Sequence, residues 1–326
     1  MARLITSLRG LPASVWLLGV ISLLNDAASE MVYPLLPLFL ASTLAAGPRV
    51  LGLIEGLAEA VSSLLKLVSG IWSDRTRRAK PFVVWGYGVA GLARTLIAAA
   101  SGWWFVLACR LADRVGKGLR SSPRDAPKTE TVRATTRFNW HLREFPPRFR
   151  RYLVILGLFM LGNSSNLFLI LRARELGVPQ VQVPLLWATM SLVAAVFLTP
   201  LSALSDRIGR RRVIVAGWIA YAAIYLVLGW SALPTWGVWA MFVAYGLFIA
   251  ATEGAEKALV ADLVPHGQLG TAFGWYHLTL GITLLPASLV FGVFWESVAP
   301  QLAFAFGAGC ALLAAALMIF WLPPAR

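Results

Sequence analysis

Six carboxylates stand inside long apolar runs of this chain: Asp26, Glu30, Glu55, Glu59, Glu253 and Glu256. A charge at the centre of a bilayer costs about 2.5 kcal/mol at the least, so an acid in such a run is a candidate for binding protons or ligand. Asp26 and Glu30 are four residues apart and share one helix face. Asp26 lies about 20 Å from the start of its run at a helical rise per residue, and two carboxylates at that depth are hard to ionise together. That suits them to proton binding; the plainer alternative is an acid pair that only hydrogen-bonds the bundle together. Glu55, Glu59 and Lys66 form a second helical stripe, read either as a coupling site or as a surface acid and a snorkelling lysine. Arg110 is read as having no sequence-local partner and is expected to meet Asp26 or Glu30 across a cavity. Glu253 and Lys257, four apart, neutralise each other, which leaves Glu256 as the less obviously paired acid. The proton-coupling candidates are therefore Asp26, Glu30, Arg110, Glu55 and Glu256.

Other chemistries find little support. Cys109 and Cys310 lie in apolar runs, where a thiol acts as a small core residue, and the apolar runs carry no paired histidine ligands and no nucleophile elbow. No metal, no cofactor and no enzymatic activity are expected.

The elements that must hold these groups are membrane spans. The 326 residues are 58% hydrophobic, with a mean hydropathy of +0.71, and only 13% are charged, against about 25% in a soluble domain. Apolar runs predict ten spans, at 13–43, 50–72, 81–100, 103–125, 152–171, 183–204, 213–231, 235–260, 269–294 and 300–322. An opening signal peptide is the alternative for the first run, but apolar sequence resumes from Met31 to Leu40 and favours a retained span. Of the 29 lysines and arginines, 22 fall in segments on one side, eleven of them between 113 and 151. Only Arg49, Arg172 and Arg174 fall on the other side, and Lys66, Arg94, Arg110 and Lys257 lie within spans. This is the positive-inside pattern, with both termini cytoplasmic. It disperses the net charge of +14 along one membrane face and removes the case for nucleic-acid binding. Trp103, Trp104 and Trp230 fall at expected interfaces as belt anchors.

The sequence repeats. GIWSDRTRRAK at 70–80 and LSALSDRIGRRR at 201–212 are two copies of one charged hairpin, with Asp74 and Asp206 separated by 132 residues. Together with NDAASEMVYPLLPLF at 25–39, LGLIEGLAEA at 51–60, DRVGKGLRSSPRDA at 113–126 and GNSSNLFLILRARELG at 162–177, these loops resemble the major facilitator superfamily, in its bacterial drug-efflux-like permease branch. The resemblance implies an all-α polytopic membrane protein of the bacterial cytoplasmic (inner) membrane. It also implies a small-molecule substrate carried by alternating access, and proton-coupled export of an amphipathic or drug-like compound in antiport fashion. Exporters of this kind often place an essential arginine near Arg110. Gly70, Asp74, Arg75 and Arg78, with Asp206, Arg207, Gly209 and Arg210, then read as a cytoplasmic latch that releases as the halves rock, against a bare topological role for the positive charge. Asn25 and Tyr33 in the first span, and Asn163, Ser164 and Asn166 in the polar knot at the matching place of the second half, are substrate-cavity candidates; helix-to-helix hydrogen bonding is the alternative for the knot.

The family has twelve helices, whereas only about ten are expected here, four plus six. EGAEKALVAD at 253–262 matches the stretch ending at Asp125, and two further helices follow it, with Gly274, Gly281 and Pro286 in the glycine–proline pattern that exporters carry. After Asp125 the chain runs instead into PKTETVRATTRFNWHLREFPPRFRR. Helices five and six of the first half are missing. The expected divisions are 1–126, a four-helix half; 127–151, a basic connector lying on anionic inner-leaflet lipid; and 152–326, a six-helix half. A homo-oligomer would cover the exposed cavity wall. The competing reading is a transporter-derived protein without transport activity, a sensor or scaffold, or inert.

Overall fold

The computed structural model describes residues 13–76, 79–125, 142–265 and 268–322, with side chains at 20–21, 24–65, 84–118, 142–265, 268–269 and 271–322. All regular structure there is helical, as a lipid environment demands, because a helix satisfies its own backbone hydrogen bonds. The helices are α1 Ala13–Val32, α2 Leu36–Ser42, α3 Pro48–Thr76, α4 Ala79–Ile97 and α5 Trp103–Asp125 in the first half. The second half has α6 Pro147–Gly162, α7 Leu167–Glu175, α8 Val183–Ile208, α9 Arg210–Trp230, α10 Thr235–Leu263, α11 Leu269–Ser297 and α12 Pro300–Phe320. The pairs α1/α2 and α6/α7 are each one broken rod, so the ten expected segments are all present.

Six segments are long and apolar enough to cross a membrane: Pro147–Glu175, Gln180–Ile208, Arg210–Trp230, Thr235–Leu263, Thr271–Ser297 and Pro300–Phe320. All belong to the second half. Among the described residues the first-half helices fall outside this set, and α3 and α5 carry the buried, mutually paired charges Glu55, Arg110, Asp113 and Arg114, where the second half buries Glu256. Proline begins α3, α6 and α12, where its missing N–H costs nothing. Gly209, at φ +99°, turns the chain between α8 and α9, a left-handed conformation that favours glycine.

The most extensive contact between halves is the antiparallel seam of α3 with α11. Glycines make it close. A Cβ on Gly52 would meet the Ser288 carbonyl oxygen, one on Gly56 would lie 2.9 Å from Leu285 Cα, and one on Gly292 would lie 2.7 Å from Pro48 O. In the second half α6 is held by α11 and α12, whereas in the first half the corresponding helix α1 packs weakly, chiefly on α4. The counterparts of α11 and α12 are the two helices that the first half lacks. Their absence also leaves α8 open: 22% of its most apolar window is buried, against 67% for Pro147–Glu175, and Leu185, Leu192 and Val196 are exposed.

Two sequence expectations shift. Arg114, which lies within the expected span 103–125 but counts with the cytoplasmic segment, is buried on α5, because it faces Glu55 and Glu59 of α3. α6 begins at Pro147, so Arg148, Arg150 and Arg151 open a helix, and Phe145 and Phe149 just before and within it are buried. The basic connector expected at 127–151 lies, for 127–141, outside the described residues. Cys109 and Cys310 are free and buried.

Candidate functional site

The first half encloses a compact charge cluster. Arg110 of α5, 3% exposed, donates from Nε and Nη2 to Glu55 Oε1 at 2.9 and 2.6 Å, and its Nη1 lies 3.5 Å from Asp113 Oδ2. Asp113 Oδ1 accepts from Arg94 Nε at 2.8 Å. Arg94 Nη1 reaches on to the Asn25 backbone and side-chain oxygens at 3.0 and 3.1 Å. Arg114 lies 4.0 Å from Glu55 and 3.6 Å from Glu59. Three acids face three arginines, so the cluster is neutral as a whole and can be buried where an unpaired charge could not.

This corrects two expectations. Arg110 meets Glu55 and Asp113 rather than Asp26 or Glu30, because α5 packs against α3 and Glu55 offers it a buried acceptor there. Asp26 and Glu30 are not enclosed together; both are exposed on α1, the helix that has lost its covering neighbours. Asp26 accepts from Asn25 Nδ2 at 3.2 Å, and Glu30 Oε2 accepts the indole N–H of Trp187 on α8 at 2.7 Å. Asp113, Arg94 and Arg114 were missed by sequence reasoning. The spacing Arg110, Asp113, Arg114 was the available signal, since residues three and four apart share a helix face.

Above the cluster the two halves meet at their broken rods. The α1/α2 rod breaks in the turn Tyr33–Leu35, where Pro34 cannot continue α-helical hydrogen bonding. The α6/α7 rod breaks at residues 163–166, the polar knot. The Tyr33 hydroxyl lies 3.5 Å from Ser165 Oγ, and these residues are 132 apart, the spacing that separates Asp74 from Asp206. The same position of each repeat therefore touches its counterpart on the internal axis. The Tyr33 ring also lies 5.0 Å from Trp187 and under the Arg110 guanidinium at 5.4 Å.

The polar knot divides. Asn166 Oδ1 accepts from Tyr245 at 2.7 Å, the Gly162 carbonyl from Tyr221 at 2.9 Å, and Ser165 N donates to Ser288 Oγ, which fastens the break to α10, α9 and α11. Asn163 Oδ1 and Ser164 Oγ are buried without a hydrogen-bond partner among the described residues. Between α1 and α8 a groove of about 790 Å³ is lined by Ala27, Glu30, Met31, Asn166, Pro184 and Trp187, among others.

Near the arginine-bearing end, Glu256 of α10 is buried and, among the described residues, is held by neutral donors alone, Trp218 Nε1 at 3.2 Å and the Tyr276 hydroxyl at 3.1 Å. Glu253 and Lys257 pair at 2.7 Å on the exposed side of the same helix. In the second signature loop, Arg210 bonds Asp206 at 3.3 Å and the Ala258 carbonyl at 2.5 Å and pairs with Asp262, tying the α8–α9 turn to the end of α10. Arg211 caps α12 through the Met318 and Ile319 carbonyls. The side chains of Lys66, Asp74 and Arg75 and the whole of Arg78 lie outside the described residues, and Gly70 is described only as part of the α3 backbone.

A family model for the Major Facilitator Superfamily matches residues 18–126 and 152–326. The chain belongs to the major facilitator superfamily. It is 27% identical over 383 aligned positions to an uncharacterized MFS-type transporter of Methanocaldococcus jannaschii, with 96% of each chain covered. Since this chain has 326 residues, that alignment leaves at least 57 positions without a counterpart here, about the size of two helices and a loop. Among solved structures it resembles the human organic anion transporter MFSD10, with a TM-score of 0.66 and 18% identity over 94% of this chain and 100% of that one. It also resembles the nucleoside transporter NupG, with a TM-score of 0.70 and 13% identity over 94% and 98%. The major facilitator fold is thus present in a multi-pass membrane protein of a transporter family, shortened in its first half.

Proposed function

We propose that the chain is a secondary active carrier that exchanges a small amphipathic or drug-like molecule for protons by alternating access of its two halves. The observation that carries this reading is the meeting of two broken helices on the internal axis at Tyr33 and Ser165, directly over a buried ion cluster. Broken rods at the interface of two repeats supply a site that both halves can expose in turn.

Within this reading the acids divide. Glu55, Glu59 and Asp113 hold the first half together through arginines. Glu30 faces the groove. Glu256, with neutral partners alone, changes charge at the least cost to its surroundings and supplies a proton site. Arg210, bridging α8 and α10, is the latch that lets go as the halves rock. The carrier sits in the bacterial cytoplasmic membrane with both ends inside, its basic connector against anionic lipid.

Reconstitution in proteoliposomes with an imposed pH gradient tests the reading. Saturable movement of a fluorescent amphipathic compound is expected, driven by the gradient and reduced at least about tenfold by Asp26→Asn with Glu30→Gln, or by Glu256→Gln. Flux unchanged in these variants would show the assignment of coupling to be wrong. The second reading, a transporter-derived sensor or scaffold, is favoured by the uncovered flank of α8. Ligand binding without any flux would establish it.

A further inference from the structure

The repeat that relates Tyr33 to Ser165, an offset of 132 residues, also relates α3 to α8. On α3, the face that α11 covers carries Gly52, Gly56 and Ser63, which abut Ser288, Leu285 and Gly281 of α11. The same offset leads from these three to Pro184, Ala188 and Ala195 of α8. Pro184 and Ala188 line the groove of about 790 Å³ between α1 and α8, and Ala188 and Ala195 are exposed. The groove is therefore shaped as the seat of a helix. Its floor is the face of α8 that the counterpart of α11, missing from the first half, would cover.

We propose that α8 of a second copy of this chain fills the seat, so that two copies form a two-fold dimer across α8 and each closes the other's groove. This goes beyond the carrier reading and holds whether or not the chain transports. The chain's own remaining sequence is too short for the place: the longest stretches outside the described residues, 1–12 and 126–141, have 12 and 16 residues, and a span needs about 20 apolar ones. Lipid is a poor filler. Glu30 lines the groove, and Asp26, one turn before it on α1, is exposed; a carboxylate set among acyl chains is costly, whereas one facing a protein neighbour is sheltered from them.

A second copy fits because α8 is complementary to itself. Beside the floor of small residues stands a ridge of exposed large ones, Leu185, Leu192 and Val196. A ridge and a groove side by side on one helix are what a two-fold contact uses, the ridge of each copy entering the groove of the other. Small residues on the floor let the two backbones approach closely, which is how helices associate in a bilayer, where leaving the acyl chains brings no hydrophobic gain. An axis along the membrane normal keeps both copies at one depth, with their arginine-rich ends on the same side. The groove that holds Glu30 and Trp187 is then a site completed only in the dimer, its open wall supplied by the ridge of the other copy.

Disulfide trapping of the full chain in liposomes tests this, with Cys109→Ala and Cys310→Ala so that each variant carries a single thiol. Leu192→Cys is expected to form a covalent dimer on mild oxidation, whereas Leu313→Cys, exposed on α12, is not. Sedimentation in detergent is expected to show a species of two 35.4 kDa chains. Ala188→Leu, which fills the floor from an exposed position, is expected to weaken the dimer by at least about tenfold, with the unfolding midpoint of the dilute monomer unchanged. Leu192→Ala removes the ridge without crowding anything and is expected to act in the same direction. A chain that is monomeric in liposomes, Leu192→Cys linking no better than Leu313→Cys, cross-links that run on into ladders of higher oligomers, or a different small membrane protein held one to one and displaced by Ala188→Leu overturns the proposal. A dimer without flux leaves it standing and sinks the carrier reading; flux from a chain that is monomeric in liposomes does the reverse.

Discussion

Arg110→Met is expected to destabilise the purified protein by about 3–5 kcal/mol, the cost of leaving a buried charge without its partner. Arg110 is 3% exposed and is the only group that bonds Glu55 Oε1 twice, from Nε and Nη2. Removing it strands Glu55, also 3% exposed, with Arg114 at 4.0 Å as its remaining cation. Asp113 suffers less, because Arg94 stays bonded to it at 2.8 Å. The double variant Arg110→Met with Glu55→Met removes the stranded charge and should recover at least half of the loss, since an apolar pair of similar volume often replaces an ion pair without penalty. Arg110→Lys keeps the charge but not the two-nitrogen grip and should fall between. Unfolding midpoints in detergent measure all three; a double variant no more stable than Arg110→Met would show that the pair is not an isolated unit of the cluster.

Gly52→Leu is expected to destabilise by about 3 kcal/mol, the upper end of overpacking. The obstacle at Gly52 is the Ser288 carbonyl oxygen of α11, which is backbone and cannot swing aside as a side chain could. The clash sits on the most extensive contact between the halves, so the strain is relieved only by parting them. Gly91→Leu is the matched control: a Cβ there meets nothing within 4 Å, and no comparable loss is expected. If both variants unfold at the wild-type midpoint, the α3–α11 seam is looser than its geometry implies.

How much of this was legible beforehand depends on whether a feature is local in sequence. Apolar runs and the placement of arginines marked out the helices, because span length and side preference are set by the bilayer. The two signature loops gave the repeat, and the repeat exposed the missing hairpin after Asp125. The Glu253–Lys257 pair was readable from its spacing of four. Arg110 with Glu55 was not, since those residues lie 55 apart and only the packing of α5 on α3 joins them. Trp187 against Glu30 is of the same kind, 157 residues apart. Asp113 and Arg114 were hidden differently: the span is expected at 103–125, but the basic residues from 113 on count with the cytoplasmic segment, so Arg114 and the acid beside it are not weighed as buried groups. The exposure of α1 followed from the missing helices, but the sequence pattern of α1 itself still reads as a covered one.

Tyr33 and Ser165, one ring and one hydroxymethyl at the same place in two repeats, meet at 3.5 Å. An ancestral chain with identical halves would have put the same residue on both sides of that axis, either two rings in the space of one or two small groups around a void. Only a mismatched pair fills it. Unlikeness at this position therefore lets a ring of one half and a hydroxymethyl group of the other share the contact between the two repeats.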